Sequence, residues 1–94
     1  MRHIERSGAF KRQYKLMMKR GKDEQKIRAV ISLIAADATL PLACRDHPLS
    51  GNFSGFRDCH IEPDWLLIYR NEPGDDSQGI LYLEATGTHA DLFK

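Results

Sequence analysis

Two amphipathic helical patterns, separated by a single short break, constrain this chain more than any other feature of its sequence. Phe10, Tyr14, Met17 and Met18 fall at i, i+4, i+7 and i+8, which is one face of a helix. Lys11, Arg12, Lys15, Lys19 and Arg20 cover the rest of that segment. Ser7 stands before it as an N-cap, because its hydroxyl can accept from a free backbone N–H one turn on. Gly21 can take the left-handed conformation that ends a helix. Asp23 then caps a second pattern, with Ile27, Val30, Ile31 and Ile34 on one face. So short a connection folds the pair into a helical hairpin. Its apolar stripe needs a surface to cover it, and the rest of the chain must supply a sheet.

From residue 37 the character changes. Asp37, Thr39, Pro41, Asp46, Pro48, Ser50, Gly51, Asn52 and Gly55 predict a long irregular loop over 37–55. Three strand patterns follow. Phe56 to Ile61 alternates, with Phe56, Asp58 and His60 on one face and Arg57, Cys59 and Ile61 on the other. Glu62-Pro63-Asp64 reads as a turn, Trp65 to Arg70 as a buried strand, and Ile80 to Glu84 as a third strand. Leu81, Leu83 and Ala85 then share one face. Asn71 to Gly79 reads as a solvated loop, Thr86-Gly87-Thr88 as a turn, and Ala90 to Phe93 as a last helical turn. Residues 2–6 are only weakly strand-like. The expected fold is α+β: an N-terminal helical hairpin packed on a small antiparallel sheet, with a short C-terminal helical turn. The far face of the sheet should stay partly open, as a binding surface. Ninety-four residues suit one domain over 1–94.

Composition removes several classes. The longest apolar run, Trp65 to Tyr69, is far short of the ~18 residues of a membrane span. No apolar leader follows Met1, and Cys44 and Cys59 are too few for a disulfide scaffold. The expectation is a cytoplasmic chain with reduced thiols and no membrane partner. Its charge is unevenly placed. Residues 1–30 hold ten Lys/Arg against three Asp/Glu, whereas residues 31–94 hold four against ten. A basic half suits a polyanion or an acidic partner, although a solvated lysine-rich helix face would look the same.

Three histidines sit beside turns in the second half: His47, His60 and His89. The Glu62-Pro63-Asp64 hairpin should bring His60 and Asp64 together, and His89 can reach the same rim. Imidazole titrates nearest neutrality, so several imidazoles with a carboxylate form an acid/base set for phosphodiester chemistry without a cofactor. Trp65 and Phe93 are candidates for stacking on bases. Each residue singly has a plainer reading, as loop, core or cap. A Zn²⁺ site from His47, His60, His89 and Asp64 is a permissible ligand set, but its spacing matches no compact zinc motif.

The strings Asp46-His47-Pro48-Leu49, Gly55-Phe56-Arg57-Asp58-Cys59-His60-Ile61-Glu62-Pro63-Asp64-Trp65 and Thr86-Gly87-Thr88-His89-Ala90-Asp91-Leu92-Phe93, in that order, resemble the YafQ branch of the RelE/ParE toxin superfamily. The resemblance spans nearly the whole chain. It implies a ribosome-dependent mRNA endoribonuclease of a type II toxin–antitoxin module, cutting without metal through the ribose 2′-OH. By motif position it implies that His47, His60, Asp64 and His89 are catalytic, with Asp64 or His60 near the 2′-OH and His89 near the leaving group. Trp65 and Phe93 would belong to the same cluster, and Lys11, Lys15 and Lys19 would grip ribosomal RNA. The implied partners are a DinJ/RelB-like antitoxin, the ribosome and mRNA, with DNA reached only through the antitoxin complex.

One position departs from the pattern. Such toxins typically carry arginine immediately before Thr-Gly-Thr-His, where this chain has Ala85. A missing charge donor of this kind typically costs ~10²–10³ in rate. Three readings stand open: an inactivating change, compensation by Arg57, or a weak toxin. The rival functions are a non-catalytic ParE-like toxin that acts by protein binding and an antitoxin-binding remnant.

Overall fold

The computed structural model describes residues 2–72 and 79–93. In chain order the elements are β1 (His3–Arg6), α1 (Gly8–Lys19), α2 (Glu24–Ala35), β2 (His47–Pro48), β3 (Arg57–Glu62), β4 (Trp65–Glu72), β5 (Ile80–Gly87) and α3 (His89–Leu92). Both helix starts follow the sequence reading. Ser7 Oγ accepts from Phe10 N at 2.9 Å and donates to the Glu84 carbonyl at 2.6 Å, so one hydroxyl caps α1 and ties it to β5. Asp23 accepts from Gln25 N at 2.9 Å to cap α2. Gly21 turns the chain between them at φ +85°, a conformation that side-chain-bearing residues rarely adopt.

The helices bury Phe10, Met17, Ile27, Val30 and Ile34 against Cys59, Trp65, Leu67, Tyr69, Leu81 and Leu83 of the sheet. Truncating one such residue, Ile27→Ala for example, costs ~2–5 kcal/mol. Cys44 and Cys59 are both free and buried, as small apolar fillers.

The sheet runs β1-β5-β4-β3-β2, and it is mixed rather than antiparallel. β1 pairs parallel to β5, His3 opposite Ile80 through Arg6 opposite Leu83. The cause is non-local: the helical hairpin returns the chain beside a strand nearly eighty residues away, which no short-range pattern announces. The 37–55 loop is also partly ordered. It contains β2, which lays His47 opposite Asp58, and single 3₁₀ turns at Leu42–Cys44 and Gly51–Phe53. Within the expected 71–79 loop, Asn71 and Glu72 extend β4, and 73–78 lie outside the described residues.

β5 continues through Thr86 and Gly87 instead of turning there. It does so across a bulge: Tyr69 faces Leu83 but Ile68 faces Ala85, leaving Glu84 as the extra residue. The bulge shifts the alternation by one residue. Ala85 therefore leaves the face of Leu81 and Leu83 and joins Ile68 on the opposite side, correcting the simple period-two reading.

Candidate functional site

The face of the sheet away from the helices carries the site. Register places Asp58 and His60 of β3 opposite Ile68 and Leu66 of β4, so all four lie on this face. Ala85 and Gly87 of β5 complete the row. This face is not the open surface expected. Leu66, Ile68 and Ala85 are buried, and a run of rings lies along the same side.

That run can be followed ring by ring. His47 and His60 have centroids 6.4 Å apart, His60 and His89 5.5 Å, and His89 and Phe93 6.4 Å. Phe93 meets Phe53 edge-on at 5.7 Å, and Phe53 meets Phe56 at 6.4 Å. The three histidines and Phe93 are thus one cluster, as expected.

Asp64 belongs to it through His89 rather than through His60. Its Oδ1 accepts from the His89 backbone N–H at 2.9 Å and from His89 Nδ1 at 2.6 Å. These bonds, backbone first, hold the Asp64 carboxyl below its ordinary value. α3 aims His89. Thr88 and Asp91 form a reciprocal capping box, and Asp91 also accepts from Arg20 Nη1 at 2.8 Å. Arg20 and the Thr88 N–H hold the Asp91 carboxyl down at about 2. Gly87 lets α3 pack close, since a Cβ there would sit 3.0 Å from Asp91 Cβ and push that side chain aside by a few tenths of an ångström.

The imidazole tautomers follow from their partners. A carbonyl only accepts, so His60 Nδ1, 3.3 Å from the Cys44 carbonyl, carries a proton in the bonded form and leaves Nε2 with a lone pair. His47 Nδ1 likewise donates to the Arg45 carbonyl at 2.6 Å. Its Nε2 lies 3.7 Å from Asp58 Oδ2. His89 Nδ1–H points at the Asp64 carboxylate, which leaves Nε2 turned away from that bond.

Asp58 is the residue that sequence reasoning missed. It is only 4% exposed, and its Oδ1 has no hydrogen-bond partner among the described residues. Burial raises its pKa, while His60, His47 and His89 pull it back. The clue was its place two residues before His60 on an alternating strand.

Two expected substrate contacts are not where the chemistry would need them. Trp65 is 0% exposed, and its indole N–H donates to Thr86 Oγ1 at 3.0 Å, so it is core and cannot stack on a base. Arg57 lies on the helix side of β3, held by Asp46 at 3.0 Å, because alternation turns it away from His60. Ala85 does lie on the site face, but it is 4% exposed, not at a solvated strand end. Lys11, Lys15 and Lys19 are exposed on α1. Lys11 and Lys15, with Arg6 and Arg28, rim a groove of about 500 Å³ between β1 and the two helices, away from the histidines.

Among the described residues no group of three or more His, Cys, Asp or Glu is arranged to hold an ion. Each Nδ1 of the three clustered histidines is directed at an oxygen of the protein, which fixes the rings and leaves Nε2 as the outward nitrogen of His60 and His89.

Comparison with known proteins gives a consistent result. The family model described as "Bacterial toxin of type II toxin-antitoxin system, YafQ" matches residues 2–94. The mRNA interferase toxin YafQ of Escherichia coli K12 is 43% identical over 93 residues, covering 98% of this chain and 96% of the relative. The E. coli DinJ-YafQ toxin-antitoxin complex contains a chain similar at TM-score 0.84 and 44% identity, covering 99% of this chain and 98% of that one. A metal-bound toxin from Helicobacter pylori is similar at TM-score 0.86 and 34% identity, covering 99% and 100%.

Proposed function

This chain belongs to the YafQ family of bacterial type II toxin–antitoxin toxins, and from that premise we propose that it is an mRNA endoribonuclease that cuts by histidine acid/base chemistry. The observation that carries the mechanism is the Asp64–His89 pair, 2.6 Å between Oδ1 and Nδ1, with the His60 ring 5.5 Å from that of His89.

In this reading His60 Nε2 takes the proton of the ribose 2′-OH. The 2′-oxygen bonds to phosphorus, and the P–O5′ bond breaks as His89 Nε2 gives its proton to the leaving oxygen. The products are a 2′,3′-cyclic phosphate and a 5′-hydroxyl, and the two imidazoles have exchanged protonation states. Asp64 does not serve as the base. Its depressed pKa makes it a poor one, and both bonds from His89 fall on a single oxygen. Its role is to orient His89, holding the ring through Nδ1. His47, bonded at Nδ1 and facing the Asp58 carboxylate, supplies positive charge to the phosphorane-like state.

Phe93, with its ring partly exposed beside His89, is the stacking residue. The basic face of α1, with Lys11, Lys15 and Lys19, meets ribosomal RNA backbone. The resident partner is a DinJ-like antitoxin, which the solved E. coli complex supports. The compartment is the cytoplasm. No helix among the described residues is long and apolar enough to cross a membrane.

The test compares a reporter mRNA on translating ribosomes with the same RNA free in solution, each with and without a chelator. Cleavage in register with codons on ribosomes, little on free RNA, and no loss with chelator supports the reading. Equal cleavage of free RNA, or abolition by chelator, contradicts it.

A further inference from the structure

One cation on the site face lies outside this machinery. Arg70 stands opposite Tyr82 in the β4–β5 register, on the same side as Ile68 and His60. Its guanidinium carbon lies 4.8 Å from the Phe56 ring centroid and 5.2 Å from that of Tyr82. Two rings, Phe56 just before β3 and Tyr82 of β5, themselves 6.4 Å apart, therefore flank one planar cation. Its Nε is buried without a partner among the described residues, Nη2 pairs with Glu72, and the side chain is still 39% exposed. Phe56 joins it to Phe53, then Phe93, then His89, so the cation ends the succession of rings that begins at the imidazoles.

We infer that Arg70 is a phosphate-binding residue of the RNA site, gripping the strand beyond the scissile bond while the rings between it and His89 carry the intervening bases. The inference rests on the endoribonuclease reading and names a subsite that reading does not need. Distance separates the roles. Arg70 is four residues along β4 from Leu66, the partner of His60, which is about 13 Å at ordinary strand rise. It therefore meets a neighbouring phosphate, not the one being cut. Arginine suits this position because a stacked guanidinium is already oriented, so little rotamer freedom is lost when it binds a phosphate. Glu72 is the built-in competitor: its carboxylate holds one edge of the cation until RNA arrives.

The experiment measures binding of a short single-stranded oligoribonucleotide across a salt series, and KM and kcat on programmed ribosomes, for Arg70→Gln, Arg70→Lys and Glu72→Gln. Arg70→Gln should weaken binding and raise KM by about tenfold with kcat nearly unchanged, and lower the salt slope by roughly one phosphate contact. Arg70→Lys should keep the slope, and Glu72→Gln should tighten binding. A residue that only packs against Phe56 and Tyr82 would leave the salt slope and the Glu72→Gln affinity at their original values, and that result overturns the inference. Histidine-dependent cleavage with Arg70 silent overturns the subsite alone. Arg70-dependent RNA binding without any cleavage keeps the subsite and overturns the catalytic reading.

Discussion

A single oxygen of Asp64 accepts two hydrogen bonds from His89, one from its backbone at 2.9 Å and one from its ring at 2.6 Å. The pair fixes both where α3 begins and which way its first imidazole faces. Asp64→Asn keeps an acceptor at that position but removes the negative charge beside His89. Cleavage on ribosomes should fall ~10²-fold, the lower range for a disabled acid or base. The melting temperature should hardly move, because the pair is exposed on both sides. Melting and cleavage measured on the same preparation check this.

Asp58 gives a prediction with a definite sign in pH. Its carboxyl is raised by burial. A raised carboxyl stabilises the fold most below its ordinary value of 3.8 and loses that contribution as pH rises through the folded value. Asp58→Asn should therefore be at least as stable as the parent at pH 7. That relative advantage should shrink as pH falls toward 3.8. Thermal melts across pH check the stability. Activity should drop as far as in His47→Gln, since the anion facing His47 is gone.

Ala85 tests whether the site tolerates a second cation. The bulge at Glu84 turns position 85 toward Ile68 and the histidine face, where an arginine can approach the scissile phosphate. The residue is buried, so the longer side chain displaces neighbours at a cost of ~1–3 kcal/mol. Ala85→Arg should lower the melting temperature by several degrees and raise the cleavage rate by ~10²–10³. An arginine form that melts lower and cuts no faster would show that 85 is no phosphate clamp here.

What could be read in advance, and what could not, divides along the range of the interactions. Ser7, Gly21 and Asp23 act on their own turn of chain, so both helices and their break were legible. The His47, His60 and His89 cluster was legible from the motif strings, although the turn expected before His89 is the end of β5 and His47 lies in β2. β1 was faint because its partner is β5, reached only after two helices and three strands. The bulge at Glu84 left no local sign, and it reversed the facing of Ala85. Trp65 taken singly reads more readily as core than as platform, and its hydrogen bond to Thr86 makes it core. Asp58 was passed over because an aspartate on an alternating strand reads as solvent-facing unless its neighbours are known.

The basic face of α1 makes its own prediction. Reversing Lys11, Lys15 and Lys19 to Glu should weaken ribosome binding and flatten its salt dependence, because each lost phosphate contact removes counterion release. These side chains are exposed, so the fold should be unaffected. Sedimentation with ribosomes at several salt concentrations checks it, and an unchanged slope would make them a solvated face only.

The central claim is that His60 and His89 move protons in an attack by the ribose 2′-oxygen. Its most direct test is the chemistry of the cut ends, together with the rates of His60→Gln and His89→Gln on programmed ribosomes. The account predicts a 2′,3′-cyclic phosphate and a 5′-hydroxyl, with each variant slowed by ~10²–10⁴ and still folded. A 5′-phosphate with a 3′-hydroxyl, or either variant cutting at the parent rate, would contradict it.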